Sequence, residues 1–172
     1  MLKQSVRDLC TSLVEHLRKV EFANRYTDEA ALERDVWNHV RAFMADAGEQ
    51  PSETCLTSHT YHNDREARHW DTFLREAPGP DVDVLGSKNR LDIVVKPSSG
   101  GSIGIEVKCL GEGGHAAKLT QGLGQVMLAL ENRDYTILLM HCGTVTPDER
   151  TQLRGIAENI CRGTRVAVVV VP

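Results

Sequence analysis

Several features that mark other protein classes are missing from this sequence. No apolar run approaches the roughly 18 residues of a membrane-spanning helix, so we expect no membrane partner. The stretch "MLKQSVRDLCTSLVEHLRKV" is charged throughout and does not read as a signal peptide. No internal repeat or low-complexity tract occurs. What remains is typical of a globular protein, and 172 residues with 41% hydrophobic content suffice for one well-buried domain.

The cysteines lack the even number and the paired spacing of a disulfide framework. There are five of them, which favours reduced thiols inside a cell, each most simply a small buried hydrophobe. We therefore expect a cytoplasmic protein. Cys55, His59, His62 and His69 match no compact zinc motif, and we interpret these histidines as surface residues of a loop rather than as zinc ligands.

An excess of positive charge is also lacking. The net charge of −4 gives no basic footprint of the kind that nucleic-acid-binding proteins usually carry. Clustered acidic residues nevertheless attract phosphates once divalent cations are bound to them. Charge alone therefore leaves nucleic-acid binding open.

Helical periodicity indicates two helices in the first part of the chain. The first is predicted over residues 3–21. The second is predicted to begin after Thr27, with Asp28 and Glu29 in its first turn, and to end near Gly48. The apolar stripe of this second helix is expected to consist of Leu32, Val36, Val40, Phe43 and Ala47.

The rest of the chain alternates between strands and helices. Residues 50–80 suggest one strand and an exposed excursion, followed by strands at "VDVLG", "RLDIVVK" and "SIGIEVKC". A helix is predicted over His115–Asn132 and a buried strand at "YTILLMHC". Thr146 opens a helix that runs to Cys161, and "RVAVVVV" forms a last buried strand. This order predicts an α/β fold with one mixed sheet flanked by helices.

Two of these strands carry charges among residues that otherwise look like core. If "PSSGG" forms the turn between them, Val94 pairs with Gly104 and Asp92 lies opposite Glu106, with Lys108 on the same side. Gly104 would then leave space beside these charges. Two carboxylates in such a position have Cβ atoms roughly 5 Å apart and destabilise a sheet.

Three arrangements would relieve this repulsion. The two carboxylates can share a proton, or they can bind a hard divalent cation such as Mg²⁺, which prefers oxygen ligands. Alternatively, Asp92 and Lys108 form a diagonal ion pair and Glu106 faces solvent, as most charges on strands do. The spacing alone does not decide among them.

The pattern resembles the PD-(D/E)xK nuclease superfamily. That family carries an Asp on one strand, Glu-x-Lys on the next strand after a hairpin, and then a helix, which "RLDIVV", "IGIEVKC" and "TQGLGQVMLAL" match. The resemblance implies the restriction-endonuclease-like fold over residues 27–142, preceded by an N-terminal helix (1–26) and followed by a helix–strand extension (143–172). Residues 1–172 would then form one nuclease-like domain.

The resemblance also assigns roles to individual residues. Asp92 and Glu106 would be metal ligands together with the backbone carbonyl of Val107, and Lys108 would be the catalytic lysine. Glu33 is the candidate for the additional acidic residue that many family members place on the preceding helix, both as a catalytic residue and as a further metal ligand. The implied cofactor is Mg²⁺, and Mn²⁺ is expected to substitute for it.

The sequence departs from the name motif of the family at one position. Leu91, not proline, precedes Asp92, while a literal "PD" stands earlier, at Pro80 and Asp81. We favour Asp92 because it is placed opposite Glu106. We expect Asp81 and Asp83 to be loop or strand-edge residues.

The helix after the Glu-x-Lys strand carries further candidates. Some branches of the family place a glutamine there, and we favour Gln125 over Gln121, with a plain polar helix face as the alternative. Gly122 and Gly124 each cost a helix about 1 kcal/mol relative to alanine, so we expect the backbone or a substrate to approach closely there. Contacts to phosphate are expected from the residues His115 and Lys118 at the start of this helix.

These observations favour a nuclease that hydrolyses DNA phosphodiester bonds by attack of water with one or two Mg²⁺ ions. Two alternatives stay open. The acidic net charge and the aromatic content of 5% mildly favour a non-catalytic member of the same fold that binds nucleic acid or a protein. An RNA-directed nuclease, such as a toxin, would use the same site on a different substrate. Analogy with the family also suggests a homodimer.

Overall fold

The computed structural model describes residues 4–57, 82–84, 87–110, 114–143 and 145–172. Within these ranges, no helix has the length and apolar character needed to cross a membrane.

Helices and strands follow the predicted order with two additions, a short helix before the first strand and a strand at Ser87–Asn89. The helices of the described residues are α1 (Val6–Lys19), α2 (Glu29–Asp46), α3 (Pro51–Thr54), α4 (His115–Ala129) and α5 (Pro147–Cys161). The strands are β1 (Cys55–Thr57), β2 (Val82–Val84), β3 (Ser87–Asn89), β4 (Ile93–Val95), β5 (Ile103–Cys109), β6 (Tyr135–His141) and β7 (Val166–Val171).

The main sheet has five strands in the order β1-β4-β5-β6-β7, and β2 pairs with β3 in a separate two-stranded sheet. The pairs β1–β4 and β4–β5 are antiparallel, whereas β5–β6 and β6–β7 are parallel. The protein is therefore a mixed α/β structure in which helices flank a mixed sheet, and this coarse prediction is confirmed. Because β7 pairs with β6 along its length, it extends the same sheet, and α5 connects the two strands.

The two faces of β5 pack against different helices. Ile103, Ile105 and Val107 belong to a buried cluster that contains apolar residues of α1 and α2. Side chains of a strand alternate between faces, so Glu106 and Lys108 lie on the opposite face, which α4 and α5 cover. The charged residues of β5 are thereby directed into the interior between the sheet and α4.

Helix α2 differs in detail from its prediction. Asp28 is not in the first turn but is the N-cap, and its carboxylate accepts a hydrogen bond from the N–H of Ala31. This leaves Glu29 as the first helical residue. The predicted stripe residues Leu32, Val36 and Val40 are buried, together with Trp37 and Met44, which helical spacing also places on the inward face. Ala47, expected in the same stripe, is exposed because the helix ends at Asp46.

Candidate functional site

The register of the β4–β5 hairpin is the predicted one. Val94 pairs with Gly104, and the ladder ends at the pair Ile93–Ile105. Asp92 therefore stands one position beyond the last pair of the ladder, on the side of Glu106. Its Oδ2 atom accepts a hydrogen bond of 2.8 Å from the backbone N–H of Val107. A side chain, not a strand carbonyl, thus holds β5 at this point.

The backbone carbonyl of Val107 faces the same side as Asp92. In an antiparallel pair, the N–H and the C=O of one residue point toward the same neighbouring strand. Since the N–H of Val107 points at Asp92, its carbonyl oxygen also points toward the β4 side of β5. This is the position that the predicted role of Val107 as a backbone ligand requires.

Glu106 and Lys108 form an ion pair inside the protein. The exposed fractions of the two residues are 1% and 6%, and the Nζ atom of Lys108 lies 2.7 Å from Oε1 of Glu106. The alternative arrangement in which Glu106 faces solvent is therefore wrong. Asp92 is also buried, with an exposed fraction of 9%, so the hairpin brings three charged groups into the interior.

Burial and the neighbouring acidic residues shift the pKa values of Glu106 and Lys108. Burial is the largest cause that raises the pKa of Glu106, followed by the charge of Asp92, and together they raise it to about 8 against the opposing effect of Lys108. Burial lowers the pKa of Lys108, but Glu106, Glu29 and Asp92 outweigh it and the net shift is upward. The lysine therefore stays charged, and Glu106 loses its proton and completes the ion pair with Lys108 only as the pH rises toward about 8.

The acceptor atoms of this cluster suit a hard divalent cation. Oε2 of Glu106 is buried and has no hydrogen-bond partner, although a buried acceptor without a partner is costly. No group of three His, Cys, Asp or Glu residues suited to a metal occurs in the part of the chain that the structure describes. Asp92 and Glu106 supply two carboxylates and Val107 a backbone carbonyl, and Mg²⁺ is typically held by one or two carboxylates plus substrate phosphate.

Glu29 is a residue of this site that sequence reasoning missed. Its Oε1 lies 3.3 Å from the Nζ atom of Lys108, and its Oε2 accepts a hydrogen bond of 3.2 Å from the N–H of Cys109. The predicted acidic residue, Glu33, lies one turn later on the same face of α2 and is buried. The i, i+4 spacing of the two acids was a signal that a second carboxylate could face the sheet.

Helix α4 packs directly on the stem of Lys108. A Cβ atom at Gly122 would lie 3.3 Å from Cγ of Lys108 and 2.6 Å from Cδ1 of Leu138, so a larger residue here would force the leucine methyl group to move. Gly122 is thus closely approached, although by side chains of the sheet and not by a backbone segment. No protein atom approaches Gly124, where an added Cβ would meet nothing within 4 Å.

Gly104 does not leave space beside the site, contrary to expectation. A Cβ atom at this position would lie 2.1 Å from Cδ1 of Leu91, which therefore fills the space. Leu91 is itself buried. A larger residue at Gly104 would displace the Leu91 side chain, which the chain preceding Asp92 folds over β5.

The predicted residues of α4 lie at different depths. Gln125 is one turn beyond Gly122 and half-buried, and its side-chain oxygen is buried without a hydrogen-bond partner. Asn89 of β3 donates a hydrogen bond of 2.9 Å to the backbone carbonyl of Gln125. Gln121 is exposed, so of the two glutamines only Gln125 reaches the buried side of the helix.

The other sequence candidates lie away from this cluster or outside the described residues. Lys118 donates a hydrogen bond to the backbone carbonyl of Cys109. His115 lines a cavity between α4 and α5 together with Glu149. Cys55 is fully buried in the core and Asp83 is exposed on β2. The predictions for four residues fall outside the described residues: His59, His62, His69 and Asp81.

No protein-family model matches the chain, and no curated protein matches its sequence.

Proposed function

We propose that this protein is a metal-dependent nuclease that hydrolyses DNA phosphodiester bonds. The observation that carries the proposal is the buried group formed by Asp92, Glu106 and Lys108. Two carboxylates and an ammonium group are expensive to bury, and a sheet gains nothing from the repulsion between Asp92 and Glu106. A bound cation would explain this arrangement, because its positive charge offsets the repulsion and the two carboxylates become its ligands.

The residues would divide the work as follows. Asp92, Glu106 and the carbonyl of Val107 would hold Mg²⁺, or Mn²⁺ in its place, with Glu33 as a further candidate ligand. When bound, the cation supplies a site that lowers the pKa of a water molecule and offsets charge on the phosphate. Lys108 would orient the attacking water and stabilise the charge that develops on the transferring phosphoryl group.

Gln125 completes the proposed site from the side of α4. Its buried side-chain oxygen lacks a hydrogen-bond partner, and an amide oxygen can accept a hydrogen bond from a water molecule or from an ammonium group. Because Gly122 brings α4 onto the lysine stem, Gln125 is carried to the same side of the sheet. We assign it an assisting role rather than a metal-binding role.

The proposal includes the restriction-endonuclease-like fold for residues 27–142. The features that support it are the mixed sheet, the antiparallel β4–β5 hairpin with the acidic residues, and the helix that follows β5 and leads to a parallel strand. Under this proposal α1 and the pair α5–β7 are additions at the two ends.

DNA is favoured over RNA as the substrate by the family resemblance alone.

The test is cleavage of nucleic acid by purified protein, with duplex DNA, single-stranded DNA, branched DNA and RNA as substrates. Cleavage is expected with Mg²⁺ or Mn²⁺ and not with EDTA. Lys108→Ala should lower the rate by a factor on the order of 10³, since removal of one group that stabilises transition-state charge typically costs 10²–10³. Lys19→Ala, at the exposed end of α1, is the matched control and should cleave like the wild type.

Retained cleavage by a folded Lys108→Ala variant would refute the proposed site. Cleavage of RNA alone would keep the site and change the substrate. The competing function, a non-catalytic binding module, is favoured by the net charge of −4. Calorimetry separates the two, because a nuclease site should bind Mn²⁺ through Asp92 and Glu106, whereas an inert scaffold has no need to.

A further inference from the structure

Among the described residues, the Glu29 side chain makes two hydrogen bonds outside its own helix, and both are at the end of β5. One carboxylate oxygen lies 3.3 Å from Nζ of Lys108, and the other accepts the N–H of Cys109 at 3.2 Å. These partners lie 79 and 80 positions further along the chain. The side chain thus connects the first turn of α2 to the strand that carries Glu106 and Lys108.

The start of α2 does not by itself require these contacts. Asp28 already caps the helix by accepting the N–H of Ala31 at 2.8 Å. A glutamate at the next position is favoured by the helix dipole when it simply extends into solvent. Glu29, whose side chain is 38% exposed, instead turns toward Lys108 and Cys109. Its conformation is therefore explained by β5 and not by helix capping.

Lys108 is shared between two carboxylates of unequal surroundings. Glu106 is buried and lies at 2.7 Å, whereas Glu29 is partly exposed and lies at 3.3 Å. A lysine ammonium group has three donors and can bind both. A divalent cation on Glu106 would compete with Lys108 for that carboxylate, and the ammonium would then depend on Glu29 for its position.

We propose that Glu29 is a positioning residue that holds Lys108 in place when Glu106 binds the metal ion. This inference rests on the proposed nuclease function. Glu29 acts through Lys108 and the backbone of Cys109, because one of its carboxylate oxygens contacts the ammonium group and the other accepts the N–H of Cys109. It fixes the direction of the ammonium group rather than adding charge to the metal site.

The backbone of Cys109 is held from two helices, which makes the lysine position rigid. Glu29 at the start of α2 accepts its N–H, and Lys118 in the first turn of α4 donates to its carbonyl. Lys108 directly precedes this residue. Loss of Glu29 would therefore remove one contact of the Lys108 ammonium group and one contact of the backbone at the next residue, Cys109.

The decisive variant is Glu29→Gln, which keeps the size of the side chain and removes its charge. Asp28→Asn is the matched control, since it removes the same charge one residue earlier and asparagine is as good an N-cap as aspartate. Both proteins are compared with the wild type in three measurements. These are kcat and KM for DNA cleavage, Mn²⁺ affinity by calorimetry, and the exchange rate of the Lys108 ammonium protons by ¹⁵N NMR with saturating Mg²⁺.

The expected result separates positioning from metal binding. Glu29→Gln should lower kcat by about 10- to 100-fold, since a small misplacement of a reacting group costs up to about 100-fold, while KM and Mn²⁺ affinity stay within about 3-fold of the wild-type values. The ammonium protons of Lys108 should exchange faster in this variant. Asp28→Asn should match the wild type in all three measurements.

Each contrary outcome has a separate meaning. A fall in Mn²⁺ affinity of about tenfold or more in Glu29→Gln, as is typical when a group that supports a metal is lost, would make Glu29 part of the metal site and overturn the positioning role. Unchanged kcat and unchanged ammonium exchange would overturn it directly. If the wild type binds no Mn²⁺ and cleaves nothing, the nuclease proposal fails, and the role of Glu29 in it fails with it.

Discussion

Asp92→Asn should stabilise the metal-free protein and abolish its metal binding. Asparagine has the same shape, and its Oδ1 atom can still accept the hydrogen bond from the N–H of Val107, which is 2.8 Å long in the native protein. What the substitution removes is the negative charge, the second-largest of the causes that raise the pKa of Glu106 to about 8. The variant thus tests whether this charge opposes folding.

The size of the effect follows from the separation of the charges. Asp92 stands one position beyond the last pair of the ladder, on the side of Glu106, and two unit charges roughly 5 Å apart at an effective dielectric constant of about 20 would repel each other by about 3 kcal/mol. The weaker hydrogen bond of a neutral acceptor to Val107 and the lost attraction to Lys108 offset part of this. We expect a net gain of about 1 kcal/mol in the free energy of unfolding at pH 9.

The gain should depend on pH in a defined direction. The pKa of Glu106 is 4.5 ordinarily and about 8 in the folded protein, so the folded state holds a proton that the unfolded state releases. Stability therefore falls as pH rises from about 4.5 to about 8. Each pKa unit by which Asp92→Asn reduces this shift adds about 1.4 kcal/mol above pH 8 and nothing where Glu106 is protonated in both proteins.

The assay is urea unfolding with EDTA at pH 6 and pH 9, together with Mn²⁺ calorimetry. Asp46→Asn, at the exposed end of α2, is the control. In the wild type Mn²⁺ should raise the unfolding midpoint, because a ligand that binds only the folded state stabilises it, and in Asp92→Asn it should not. The reasoning is refuted if Asp92→Asn is less stable than the wild type at pH 9, or if it binds Mn²⁺ like the wild type.

Two further predictions concern packing and acid stability. Gly122→Ala places a Cβ 2.6 Å from Leu138 and should lower the free energy of unfolding, measured in urea, by about 1–3 kcal/mol. Gly124→Ala should raise it by about 1 kcal/mol. Equal effects of the two substitutions would contradict the packing of α4. Burial lowers the pKa of His141 below 6.5, so the unfolded state takes up the proton first and stability should fall as pH drops below about 6.5. Glu106→Gln is the background for this measurement, since it removes the opposite pH effect, and equal urea midpoints at pH 7.5 and pH 5.5 would contradict the prediction.

The hairpin could be predicted from sequence because its determinants are local. The alternation of apolar residues fixes which side chains share a face, and the turn "PSSGG" fixes the pairing of Val94 with Gly104 that the structure contains. A shift of one residue would send the whole apolar set to the wrong face. The position of Asp92 beside β5 follows from these two facts alone.

The contacts between elements could not be predicted in the same way. Helical spacing shows that Glu29 and Glu33 share a face of α2, but it does not show how far α2 is shifted along β5, and this shift decides which carboxylate meets Lys108. The space expected beside Gly104 is filled for a different reason, because the chain just before Asp92 brings Leu91 over it. The alternation of side chains along a strand does not predict the path of the chain outside the strand.

Stability and the proposed function make opposite demands on Glu106. A neutral or apolar residue there would remove a buried charge, an acceptor without a partner and the repulsion from Asp92, and exchanging such buried ionic groups for well-packed apolar ones is often neutral or stabilising. Gly122, which weakens its own helix so that α4 can contact Lys108, adds a second cost at the same place. The buried charge of Glu106 and the glycine in α4 each lower the stability of the fold, and both residues contact Lys108. Folding alone does not explain this combination, whereas it is expected of a site that becomes favourable only when a cation is bound.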